Sequence, residues 1–257
     1  LPPTSSLAEN IRRRIVTNRG LQAAILVGGR GTRLGSLTAA TPKPMLSVAG
    51  KPMLEHLIVA LVDQGVEQVV LLAGYLGEQL EALVDQSARL GADIICRVES
   101  EPAGTGGALL QASDILRDDF LLLNGDSFFD VDIVDLIEAG RARTEAIGVL
   151  ALRAMQDAGR YGSIVLEGER VVEFAEKRVG AGLINGGVYW LRRTVLDQIV
   201  NLPCSMEQEV FPVLARAGRL FARRYDSFFI DIGIPEDLRR AQHELPAARV
   251  RCQGVPR

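Results

Sequence analysis

Two stretches of this chain carry residue types suited to polyphosphate. Gly28-Gly29-Arg30-Gly31-Thr32-Arg33-Leu34 is a glycine loop ending in threonine and arginine, and Pro42-Lys43-Pro44 holds a lysine between two prolines. Glycines leave backbone N–H groups open to close approach by an anion. Arg33 can fork onto phosphate oxygens, and Lys43 can add a mobile point charge. Together they describe a nucleoside triphosphate site, with Gly28, Gly29, Gly31 and Thr32 against the nucleotide and a clamp of Arg33 and Lys43. Neither of two common glycine loops fits. A P-loop places Lys-Ser/Thr directly after its last glycine, whereas Thr32-Arg33 follows Gly31. A dinucleotide fingerprint has a third glycine where Leu34 stands and an acid after the second strand, which here ends in Ala73-Gly74.

Acids fall at strand ends farther along. Asn124-Gly125-Asp126 closes the apolar run 119–123, and Asp231 closes Phe229-Ile230 before Gly233. Two carboxylates from distant strand ends can share one Mg²⁺ with phosphate oxygens and water, so Asp126 and Asp231 are the expected metal ligands. Each also has an ordinary reading, as turn chemistry or as a helix cap. Glu176-Lys177 follows a hairpin; the lysine suits a second phosphate, although an isolated Glu-Lys pair is commonly just solvated. Asn185-Gly186-Gly187 interrupts an apolar strand. Its glycines fit either close ligand approach or a bulge, and Asn185 can exchange hydrogen bonds with a sugar hydroxyl. Glu99 and then Gly104-Thr105-Gly106-Gly107 open a helix, where they line a base or ribose pocket or simply cap the helix.

The elements that must position these groups are legible. Strands are predicted at 21–27, 66–72, 92–97 and 119–123, alternating with helices at 51–64, 77–89, 105–116 and 132–139. Val69-Val70-Leu71-Leu72 and Phe120-Leu121-Leu122-Leu123 are apolar without alternation, as in strands buried on both faces of a parallel sheet. The pattern predicts a doubly wound, mostly parallel, Rossmann-like α/β sheet with its ligand at the carboxyl ends of the strands. After Gly140 it changes to a strand at 146–153, a hairpin at 163–166 and 171–174, a strand at 183–191, helices at 193–199 and 206–217, short strands at 219–224 and 227–231, and a last helix begun by Pro235-Glu236-Asp237. This half is expected to complete the sheet and add a small hairpin and helical extension on the acceptor side. The organisation reads as an N-terminal extension 1–20, a single domain 21–244 and a tail 245–257.

The chain has 257 residues, 47% of them hydrophobic, and a net charge of −3. That balance gives no general pull toward nucleic acid or anionic membrane. Three scattered cysteines without a C-x-x-C pair suit a reducing, cytoplasmic compartment and argue against zinc. Two histidines, His56 and His243, lie outside any nucleophile motif. No apolar run spans a bilayer. Trp190 and its neighbours fit either the core or a contact in a homodimer.

The ordered set GGRGTRL, PKP, EPAGTGGAL, NGD, EK, INGG and FIDIG resembles the sugar-1-phosphate nucleotidylyltransferases, from about Leu21 to Gln242. Within that family, GLINGGVYWL with FFIDIGIPEDLRRAQ looks most like the D-glycero-D-manno-heptose 1-phosphate guanylyltransferases of bacterial surface-polysaccharide synthesis. The resemblance implies that an NTP, GTP in the narrower match, and a sugar 1-phosphate give an NDP-sugar and pyrophosphate. It implies Mg²⁺ on Asp126 and Asp231, Arg33 and the glycine loop on the triphosphate, and Lys43 on the reacting phosphates. Lys177 falls on the sugar phosphate, Glu176 and Asn185, with Asn124, Gly125 and Gly186, on the sugar side, and Glu99 with Gly104, Thr105 and Gly106 on the nucleobase wall. The alternatives are a uridylyl-, thymidylyl- or mannose-1-phosphate guanylyltransferase and, from another class, a catalytically silent nucleotide-sugar-binding homologue. The intact Lys43, Asp126, Lys177 and Asp231 count against the last.

Overall fold

The computed structural model describes residues 20–29, 31–159, 161, 163–175 and 180–254. The first half is built from β1 (Leu21–Leu26), the small ribbon of β2 (Ser47–Val48) and β3 (Lys51–Pro52), α1 (Met53–Val62), β4 (Val66–Ala73), the short helices α2 (Glu81–Val84) and α3 (Ser87–Leu90), β5 (Asp93–Val98), α4 (Gly104–Gln111), β6 (Asp119–Asn124), β7 (Ser127–Phe129) and α5 (Ile133–Arg141). The second half adds β8 (Gly148–Met155), β9 (Ser163–Glu167), β10 (Arg170–Ala175), β11 (Gly182–Arg192), α6 (Phe211–Arg216), β12 (Leu220–Arg224), β13 (Phe229–Asp231) and α7 (Pro235–Gly254).

Nine strands form one sheet in the order β5-β4-β1-β6-β11-β8-β12-β10-β9. β5, β4, β1 and β6 run parallel, so their carboxyl ends share one edge. β11 enters antiparallel to both β6 and β8, and the β9–β10 hairpin is antiparallel as well, so the sheet is mixed. Side chains from successive strand residues pass to opposite faces. Val69, Leu71, Leu121 and Leu123 join the core under α1 and α5. Val70, Leu72, Phe120 and Leu122 join the core under α4 and α6. Apolar runs without alternation are what two covered faces demand.

Several expected elements are finer than their patterns suggest. The helix expected over 77–89 is a 3₁₀ turn followed by α2 and α3. The Ser87 hydroxyl donates to the Val84 carbonyl at 2.5 Å, offering the backbone an alternative to a continuous helix. The stretch 193–199 is a 3₁₀ helix, Arg193–Gln198. The helix expected over 206–217 begins as a π turn, Met206–Val210, before α6, whose first turn contains Pro212 without an N–H to donate. The last helix passes the boundary expected at residue 244, with Leu245 and Ala248 buried. Trp190 is a core residue; its indole N–H donates to Asp119 at 3.1 Å.

Candidate active site

β1, β4 and β6 end together, and the residues after them build a cleft of about 390 Å³. The apolar back wall comes from Leu26, Leu72, Ala108 and Leu122. Of the residues singled out in the sequence, Gly28, Gly29, Lys43, Glu99, Gly104, Thr105, Asn124, Gly125 and Asp126 line it. Such a slot suits a flat, largely apolar ligand portion beside a few placed polar groups.

The glycine at the end of β1 has a steric reason. A Cβ at Gly28 would sit 3.2 Å from the Gly74 nitrogen, and one at Gly74 would sit 2.9 Å from the Gly28 Cα. The tips of β1 and β4 therefore touch backbone to backbone. Gly31 is left-handed at φ 60° and starts a 3₁₀ helix, Thr32–Thr38. The Thr38 hydroxyl folds that helix back by donating to the Gly31 carbonyl at 3.0 Å. Thr32 and Arg33 are exposed on it, outside the cleft lining. Arg33 reaches the other end of the site: a Cβ at Gly233 would lie 3.6 Å from its Nη2.

Lys43 opens a 3₁₀ turn between two prolines whose rings restrict the backbone around it. It is 7% exposed, and its ammonium donates to the Asp126 carboxylate at 2.5 Å. Asp126 is held at the end of β6 by Gly125, whose missing side chain lets the chain pass 2.7 Å (measured from a hypothetical Cβ) from the Leu26 carbonyl. Asp231 arrives from far along the chain. β13 pairs antiparallel with β7, putting Asp231 opposite Ser127, and the Ile232 N–H donates to the Asp126 carbonyl at 2.9 Å. The Asp231 carboxylate accepts from Tyr161 and, at 2.7 Å, from the Gly233 N–H. The two acids are thus on adjoining backbone. Among the described residues no third His, Cys, Asp or Glu joins them in a metal-holding group. Two hard oxygen ligands fit a Mg²⁺-sized cation whose shell is otherwise completed by phosphate and water.

Glu99 follows β5 and stands beside Gly74, 3.2 Å from its hypothetical Cβ. Burial raises its carboxyl above the usual range, against a backbone hydrogen bond at Ala103 that lowers it. Gly104 and Gly106 pack on the Cys204 loop. Cβ atoms there would sit 2.4 Å from the Cys204 carbonyl and 3.0 Å from its sulfur, and the Gly106 N–H donates to that carbonyl at 2.8 Å. Of these two only Gly104 lines the cleft.

Asn185 and Gly186 lie outside the cleft lining. The ladder between β11 and β8 slips between Asn185 and Tyr189, so these glycines make a bulge. A Cβ at Gly186 would fall 2.3 Å from the Phe129 ring, so the packing of that ring requires a glycine here. Asn185 donates to the Tyr189 hydroxyl at 2.8 Å and accepts from the Gly187 N–H at 3.1 Å. Glu176 and Lys177 lie outside the described residues.

The lining residues outside the candidate set include Tyr189, Met206 and Glu207. Tyr189 is buried, and its hydroxyl donates to Glu207 at 2.9 Å. Burial, followed by the charge of Glu207, pushes its ionisation well above the ordinary tyrosine value. The signal in sequence is slight: a polar-tipped tyrosine in an apolar strand, and an acid in a helix pattern. His56 is structural, its Nε2 bonded to the Val48 carbonyl at 2.8 Å. Cys96 and Cys204 are free thiols.

A mixed α/β sheet that ends in a glycine loop, a lysine and one acid on a single cleft, with a second acid, Asp231, on adjoining backbone outside the cleft lining, fits a nucleotide-handling enzyme, and the nucleotidyl transferase family model matches residues 22–247. The chain belongs to that family. Mannose-1-phosphate guanyltransferase beta-B of Xenopus laevis is 37% identical over 225 residues, which are 84% of this chain and 62% of that protein. The chain therefore spans about three fifths of the length of that curated relative, as its 62% coverage shows. The crystal structure of HddC from Yersinia pseudotuberculosis superposes with a TM-score of 0.79 at 31% identity, covering 88% of this chain and 99% of HddC. HddC complexed with GMP-PN matches with a TM-score of 0.77 at 32% identity. No helix among the described residues is long and apolar enough to cross a membrane.

Proposed function

We propose that this protein transfers a guanylyl group from GTP to a sugar 1-phosphate, giving a GDP-sugar and pyrophosphate. The observation that carries the reading is the Lys43–Asp126 pair on the wall of a glycine-edged, largely apolar cleft, with Asp231 on the neighbouring β13, whose next residue bonds the Asp126 carbonyl. Both substrates are anions and repel each other until cations screen them. A phosphate oxygen of the sugar phosphate attacks the α-phosphorus, forming the new P–O bond as the bond to the departing pyrophosphate breaks. A phosphate monoester has its second pKa near ~6, so the attacking oxygen is already ionised and needs no base. Catalysis is then positioning and charge neutralisation.

In this reading Lys43 neutralises the reacting phosphates, Arg33 and the glycine loop hold the triphosphate, and Lys177 meets the sugar phosphate. Asp126 and Asp231 hold Mg²⁺, which when bound supplies charge neutralisation and alignment of phosphate oxygens. Glu99 faces the base: a carboxylate accepts both neighbouring N–H donors on guanine's pairing edge. The names of the relatives and the GMP-PN complex of HddC support guanine.

For the acceptor, the resemblance of GLINGGVYWL and FFIDIGIPEDLRRAQ supports D-glycero-D-manno-heptose 1-phosphate. The 37% identity to a mannose-1-phosphate guanyltransferase supports mannose 1-phosphate as the second reading. Pyrophosphate release with Mg²⁺, measured for each NTP against heptose, mannose and glucose 1-phosphates, decides between them. Release with GTP and one of the first two names the sugar; release with another base overturns guanine; no release from any pair overturns the transferase reading.

A further inference from the structure

The Tyr189 hydroxyl is engaged on both sides. It accepts from Asn185 at 2.8 Å and donates its only proton to Oε1 of Glu207 at 2.9 Å. A hydroxyl has one donor, so with that proton committed and the residue 1% exposed, it has none to offer a ligand. The ring is locked as well, buried against Phe211 with ring centroids 5.0 Å apart. Tyr189 can act on the cleft only through the groups it holds.

Glu207 is one of them. It stands on the π turn Met206–Val210, which is tied to α4 by the Met206 N–H donating to the Thr105 hydroxyl at 2.8 Å. π turns of this kind gather at functional sites. Glu207 lines the cleft and is exposed there, and its Oε2 has no hydrogen-bond donor among the described residues. An ionised carboxylate only accepts hydrogen bonds and repels phosphate. Its ligand partner is therefore a donor set apart from the phosphates, and both substrates of the proposed reaction are rich in hydroxyl donors.

Resting on that reaction, we propose that Glu207, oriented by Tyr189, reads a hydroxyl of the bound substrates, on the nucleotide ribose or on the acceptor sugar. Tyr189 is the positioning residue and Glu207 the specificity determinant. Equilibrium binding by calorimetry to the full chain tests this in two arms. One compares GTP with 2′-deoxy- and 3′-deoxy-GTP; the other compares mannose 1-phosphate with its monodeoxy analogues. A hydrogen bond to a charged group makes the wild-type preference for the hydroxylated ligand about tenfold or more. Glu207→Gln, an exposed change that leaves the core alone, and Tyr189→Phe, which keeps the ring, both collapse that preference toward unity in one arm. The arm that moves identifies the source of the hydroxyl. Preferences unchanged in both arms overturn the proposal. So does a change confined to GTP against ITP, which lacks only the 2-amino group. The transferase reading has its own separate readout, pyrophosphate release by the wild type.

Discussion

Lys43 and Asp126 form a buried-to-exposed ion pair at 2.5 Å on the cleft wall. Neither is needed to close the core, so Lys43→Ala and Asp126→Ala should each lower turnover by about 10²-fold or more while far-UV circular dichroism and the melting temperature stay close to wild type. Near-normal turnover in either folded variant removes that residue from the chemistry. Glu99 gives a pH test. Its carboxyl is raised by burial, so it takes up a proton before an ordinary carboxylate does as pH falls. GTP affinity should therefore fall on acidification earlier than that of Glu99→Gln, whose binding starts lower, by roughly tenfold, and stays flatter. Parallel pH profiles for the two proteins would remove Glu99 from base recognition.

At the scale of elements, glycines set where backbones meet. Gly104 has φ 77° and room for a Cβ only 2.4 Å from the Cys204 carbonyl. Gly104→Ala combines strain with a clash at the cleft wall, and should destabilise by about 1–3 kcal/mol and weaken nucleotide binding. A melting temperature unchanged from wild type contradicts the packing account. Helix α1 carries a different device, Glu55, buried and held by Arg89 and Lys51. The Arg89 hydrogen bond, foremost, lowers its carboxyl from 4.5 to about 2. Because the folded-state value is the lower one, the stabilisation is present at neutral pH and is lost as pH falls from about 4.5 toward 2. Glu55→Gln should be less stable than wild type at pH 7 by roughly 1–2 kcal/mol, allowing for half-exposed partners, with the gap closing by pH 2–3 in urea titrations.

At the scale of the molecule, the site is a joint. Asp126 comes from the parallel half, and Asp231 comes from a two-stranded ribbon that β7 and β13 make outside the main sheet. Phe129 supports that joint, edge-on to Phe229 and Tyr225 at 5.6 and 6.2 Å and filling the space at Gly186. Phe129→Ala should cost about 3–5 kcal/mol and separate the acids, reducing turnover beyond what lost stability explains. Chelation acts differently. Backbone pairing positions the acids, so EDTA should abolish turnover, leave the thermal transition of nucleotide-free protein unmoved, and be reversed by excess Mg²⁺.

The first half of this fold could be read directly from the chain. Runs such as Val69 to Leu72 must be covered on both faces, and a glycine loop after such a run must lie at the sheet edge where ligands bind. The placement of Lys43 and Asp126 on the cleft was legible in part, because each sits in a short motif near the strand ends. Gly140 shows where local reading stops. It marks a change of pattern in sequence, yet it lies inside α5 because a Cβ would strike the Trp190 ring at 2.1 Å. Asn185-Gly186 fitted both a ligand approach and a bulge; the slipped ladder supplies the bulge, and only the position of Phe129 explains the glycine. Glu207 carries no motif; its place on the cleft follows from a π turn and from a tyrosine buried on another strand. Residue type and spacing determine which groups can do chemistry. Which of them meet is set by pairings between residues far apart in the chain, such as Asp231 with Ser127, because those contacts exist only once both sheets have formed.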